Sequence, residues 1–146
     1  MDIDSLRKFC LAFPYTSEKV QWGDNLCFKV DGKLFVVTAL EHGPVRLSFK
    51  CTPEGFAELC ERDGVIPAPY MARAQWVALE QLNTLPDIEL RECIAESYRL
   101  VWERLPMKRR AELDGQSTTT RHNRAPVNKP KPKYTKARSA KPRSRG

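Results

Sequence analysis

The sequence predicts an α+β fold, an antiparallel sheet with helices packed on one face. Three observations predict it. Helical and alternating hydrophobic patterns occur in the order helix, three or four strands, helix, strand, long helix. Tight-turn signals such as Asp31-Gly32 join the strands, so hairpins dominate. No β-α-β crossover repeats, which argues against a parallel sheet.

The first helix is expected over residues 2–13, where Ile3, Leu6, Phe9, Cys10 and Phe13 follow helical spacing. Asp2 or Asp4 can cap its start, and Pro14 ends it. Leu26, Phe28 and Val30 then alternate with Cys27, Lys29 and Asp31, and Asp31-Gly32 turns the chain into LFVVTAL, residues 34–40. That run is apolar on both faces, as in a central strand. After a turn at residues 41–44, Val45, Leu47 and Phe49 point one way and Arg46, Ser48 and Lys50 the other. Thr52-Pro53-Glu54 supplies a capping hydroxyl, a proline at the first helical position and an acid near the positive helix end. This helix is expected to reach about Arg62, with Gly64 closing it. WVALEQL, residues 76–82, reads as another strand, with Val77 and Leu79 inward and Trp76, Ala78 and Glu80 outward. Pro86 and Asp87 open a long helix to about Arg104, with Leu90, Ile94, Val101 and Leu105 as its buried stripe. LPMKRRAEL adds a helical turn or two.

Charge divides the chain. Residues 1–114 hold 15 Lys and Arg against 18 Asp and Glu, net −3, while residues 115–146 hold 10 Lys and Arg and no acid, net +10. The boundary places a domain at residues 1–113 and a Lys/Arg/Pro-rich tail at residues 114–146. The tail lacks the apolar residues to offset ordering entropy, so it is expected to be disordered. The longest apolar run is too short for the ~20 residues of a bilayer span. The N-terminal residues carry acids where a signal peptide carries positive charge, so the chain is expected in the cytoplasm. The five cysteines form no C-x-x-C pair and read as small buried hydrophobes, and His42 and His122 stand apart from any ligand cluster. No metal, cofactor or catalytic group is expected. No G-x-S-x-G or phosphate loop occurs, and Glu58 and Glu61 read as a solvated helix face.

Binding is better supported by the residues. Arg121, Arg124, Lys129, Lys131, Lys133, Lys136, Arg138, Lys141, Arg143 and Arg145 make the tail a flexible polycation suited to phosphate backbones, although a solubility tail has the same composition. A membrane partner is not expected, since the tail has no hydrophobic face. Lys29, Arg46, Lys50 and Trp76 are outward by alternation, and a sheet face with cations and an aromatic can grip nucleic acid, although an ordinary solvated face would look alike.

Three stretches, WGDNLCFKVDGKLFVV (residues 22–37), LSFKCTPEGFAELCERDGVIPAPYMARAQWVAL (residues 47–79) and LPDIELRECIAESYRLVWERLPMKRR (residues 85–110), resemble the MmcQ/YjbR family. The resemblance covers nearly all of residues 1–113. It implies a frataxin-like (CyaY-like) fold, a double-wing arrangement of sheet and helices, and a DNA-binding role. It also gives PAPYMARAQW, residues 67–76, a place: prolines stiffen a loop that holds Tyr70, Arg73 and Trp76 as a surface cluster at the sheet edge. The structural alternative has Tyr70 and Trp76 seal the core and Arg73 pair with an acid such as Asp24. A frataxin-type metal role is disfavoured because the first helix lacks an acidic ridge. The chain is thus expected to be a monomeric, non-enzymatic DNA-binding protein, or alternatively a module that docks an acidic protein.

Overall fold

The Asp2 carboxylate accepts the Ser5 amide at 2.8 Å and starts α1, Ile3–Leu11. In this computed structural model, residues 1–120 are described, with side chains as far as Gly115. The chain leaves α1 through Tyr15, at φ 63, and enters a strand that the hydrophobic pattern does not predict, β1, Thr16–Gln21. β1 pairs with β2, Asn25–Val30. Asp31 and Gly32 both take positive φ, 49 and 80, the geometry of the tight hairpin expected there, and β3 follows at Lys33–Ala39. β4 is Leu47–Lys50. The Thr52 hydroxyl accepts the Gly55 amide at 3.0 Å and caps α2, Pro53–Leu59. Then come β5, Val65–Pro67, a single 3-10 turn, Ala72–Ala74, β6, Trp76–Leu79, and α3, Asp87–Arg104.

The six strands form one antiparallel sheet in the order β1-β2-β3-β4-β6-β5. α1, α2 and α3 lie on one face. Leu6, Leu59, Leu90 and Ile94 meet Phe28, Val36, Phe49, Val77 and Leu79 there. A register shift between Phe28 and Lys29 leaves Phe35 unmatched, so Phe35 and Val36 both join this core. β3 and β4 pair at only three positions, ending at Val36 opposite Phe49. Past that point the buried Ser97 of α3 bridges them. Its hydroxyl donates to the Phe35 carbonyl at 2.7 Å and accepts the Lys50 amide at 2.9 Å.

A smaller cluster occupies the other face. Ala68, Trp76 and Ala78 are buried there against Leu34, Val37, Val45, Ile66 and Met71. β6 ends at Leu79, short of the expected Leu82. Cys10, Cys27 and Cys51 are buried, and burial pushes the Cys51 thiol up to about 12.

The compact unit spans Met1–Leu105, and a second begins at Pro106. Leu105 is extended, as a residue before proline prefers, which ends α3. The second unit contributes α4, Met107–Thr120. α4 runs through Gly115, where the sequence predicts that the unfolded tail has begun; no proline interrupts this stretch. Among the described residues, no helix is long and apolar enough to cross a membrane, and no group of three or more His, Cys, Asp or Glu could hold a metal ion.

Candidate nucleic-acid interface

Cross-strand partners share a sheet face, so the ladder defines the surface opposite the helices. Ser17 stands beside Lys29, Lys19 beside Cys27, Lys29 beside Leu34, and Lys50 beside Trp76. Lys29 and Lys50 are half-buried. Ser97 fixes the Lys50 backbone, and the Lys50 ammonium donates to the Ala74 carbonyl at 2.7 Å. Burial, and next the nearby Arg104 cation, lower the Lys50 pKa. Lys50 is thereby tied to the turn that carries Arg73.

PAPYMARAQW divides between the two readings of it. Trp76 is on the outward face as alternation requires, yet it is only 6% exposed. The chain after β5 returns across it, and Ala68 and Met71 cover the indole. Trp76 is therefore a core residue of the second cluster, which corrects its reading as a surface aromatic. Tyr70 does the reverse and is 106% exposed. Arg73 is exposed on the 3-10 turn. Among the described residues no carboxylate pairs with Arg73, so the alternative ion pair with Asp24 is not formed.

Arg46 is also corrected. Val45 joins the outer cluster and Leu47 the helix-side core, so alternation breaks between them. Arg46 lines a cleft of about 720 Å³ with Met1, Asp2, Ser5, Gln81, Leu82, Asn83 and Asp87, and its Nε is buried without an acceptor. It does not stand beside Lys50 on the open face. Arg121, Arg124, Lys129, Lys131, Lys133, Lys136, Arg138, Lys141, Arg143 and Arg145 lie outside the described residues.

The charges differ in how they are paired. Arg7 of α1 pairs with Glu18 of β1, Arg62 of the loop after α2 with Glu89, and Arg99 of α3 with Glu96 and Glu103. Among the described residues, Lys19, Lys29, Lys50, Arg73 and Arg104 have no carboxylate partner. Lys19 and Arg104 were not candidates from sequence. Lys19 was hidden because its polar strand carries no hydrophobic alternation, and Arg104 because only the fold brings it near Lys50. Trp22 was missed too. It is 65% exposed at φ 51 in the β1–β2 turn, and the adjacent Gly23-Asp24 was the signal for that turn.

A six-stranded antiparallel sheet with three helices on one face defines a small α+β module. The YjbR family model matches residues 11–100, and the chain belongs to the YjbR family. It is similar to the solved structure of Deinococcus radiodurans protein DR2400, which carries a DUF419 domain. The TM-score is 0.70 at 28% identity, over 77% of this chain and 87% of that one. No curated protein matches the chain.

Proposed function

We propose that the protein is a small, cytoplasmic, non-enzymatic DNA-binding protein of frataxin-like fold, whose open sheet face and basic tail hold the phosphate backbone. One observation carries this reading. Lys19, Lys29 and Lys50 on the open face, and Arg73 on the loop beside it, have no carboxylate partner among the described residues. Unneutralised cations gathered on one surface attract polyanions and steer their approach. Burial chiefly lowers the Lys50 pKa and the Arg104 cation adds to it, and a phosphate near Lys50 and Arg104 relieves that second part. The Lys50 ammonium has three donors and spends one on Ala74, leaving two for phosphate oxygens.

The test is the affinity of the full chain for labelled duplex DNA at several salt concentrations, read by fluorescence anisotropy. Log K is expected to fall with log salt by roughly 0.9 per phosphate neutralised, and Lys29→Ala and Lys50→Ala are each expected to flatten the slope. Absence of binding to the duplex and to its separated strands, or binding independent of salt, rejects the reading. If an acidic polypeptide of equal charge displaces the DNA as well as unlabelled DNA does, the surface is a dock for an acidic protein instead.

A further inference from the structure

The loop between β5 and β6 is built to display one ring. The Met71 amide donates to the Ala68 carbonyl at 3.1 Å, which closes a four-residue turn with Pro69 second and Tyr70 third. Tyr70 has φ 66. Proline followed by a positive φ marks a type II turn, whose third position ordinarily takes glycine or asparagine. A tyrosine there bears the strain of the left-handed region. It gains no packing in return, being 106% exposed.

The loop is nevertheless well held. The Ala68 amide bonds the Trp76 carbonyl at 3.0 Å, and the Trp76 amide bonds the Met71 carbonyl at 3.2 Å. Met71 packs on the second cluster, and Lys50 clamps Ala74. The ring is thus presented on a braced support. Arg73 of the same loop and Lys50, bonded to its Ala74, have no carboxylate partner among the described residues.

We infer that Tyr70 is a stacking platform for an unpaired base, so that this surface prefers single-stranded DNA to duplex. The inference rests on the DNA-binding reading above and goes further in naming the form of DNA. A ring standing clear of the surface needs an accessible base face. In a duplex both faces of each base are covered by neighbouring pairs, whereas in a single strand they are open. Base–aromatic stacking beside a backbone-tracking cation is the ordinary means of holding a single strand without reading its sequence. Arg73 and Lys50 supply the cations.

The experiment compares full-length wild type, Tyr70→Ala, Tyr70→Gly and Tyr70→Phe. Each is titrated against one labelled oligonucleotide, alone and annealed to its complement, at the same salt. The tail acts on both probes, so the ratio of the two affinities isolates the platform. Tyr70→Ala and Tyr70→Gly are expected to weaken single-strand binding by roughly 5- to 150-fold, the loss of one stack, with duplex binding nearly unchanged. Tyr70→Phe should retain wild-type affinity. Because glycine suits the turn, Tyr70→Gly should melt no lower than wild type. If the protein binds DNA but Tyr70→Ala shifts both probes alike, or neither, the platform is refuted and the DNA-binding reading stands. If wild type binds neither probe, both fall.

Discussion

Replacing Ser97 with alanine removes a single oxygen that serves two strands. Ser97 is 0% exposed. Its hydroxyl satisfies the Phe35 carbonyl of β3 and the Lys50 amide of β4, at 2.7 and 2.9 Å, where those strands no longer pair directly. Alanine leaves both backbone groups without that partner. A buried polar group left unsatisfied costs about 1–3 kcal/mol. The Lys50 amide is only part-buried, so its share belongs at the low end, and the total is about 2–4 kcal/mol. For a domain near this size each kcal/mol moves the midpoint by about 4–8 °C, so the loss should be at least about 8 °C. Circular dichroism melts read this directly, and urea titration should show a lower midpoint with an unchanged m-value. A melting loss below about 2 °C would refute the bridge and imply that the two strands satisfy each other without Ser97.

Trp76→Ala should destabilise the fold by ~3–5 kcal/mol, as truncation of a buried aromatic does; a small melting shift with a large DNA-binding defect would return Trp76 to the surface. Arg73→Ala, which removes an exposed and unpaired cation, should leave the melting temperature within ~2 °C while weakening DNA binding, and a large melting loss would show that Arg73 braces the loop. Ending the chain after Thr120 removes all 10 tail cations, so the salt slope for duplex DNA should flatten; an unchanged slope assigns the binding wholly to the residues that remain. Burial holds the Cys51 proton up to about 12, whereas an unfolded thiol releases it near ~8.5. The stability this contributes is complete below pH ~8.5 and declines as pH rises toward the folded value. Alkylation followed by mass spectrometry should accordingly find Cys60, half-buried, modified before Cys10, Cys27 and Cys51.

The helices of the compact unit were legible because their signals are local. Asp2 and the Thr52-Pro53 pair do at the caps what their chemistry suggests, and Asp31-Gly32 makes its hairpin. β1 was not legible because TSEKVQ is polar and borders the sheet, so neither alternation nor an apolar run marks it. Alternation correctly sent Trp76 outward but could not show that Met71 and Ala68 fold back over it, since that cover belongs to a turn. Arg46 failed for a related reason. Period-two reading assumes an unbroken strand, and the chain changes faces between Val45 and Leu47. Of the site, Lys29, Lys50, Tyr70 and Arg73 were visible as residues. Their different roles depend on contacts with Ser97, Ala74 and Arg104 that no local pattern encodes.

If the protein holds DNA as proposed, the two borders of the sheet bear on how many copies share one molecule. β5, at one border, is three residues long and ends in Pro67, which has no amide hydrogen to offer. β1, at the other, exposes Ser17, Lys19 and Val20, and its Glu18 is held by Arg7. A lysine and a proline at such positions discourage the addition of a neighbour's strand. Copies brought close along one polyanion should therefore not zip together through their sheets, and occupancy of a long DNA should rise non-cooperatively.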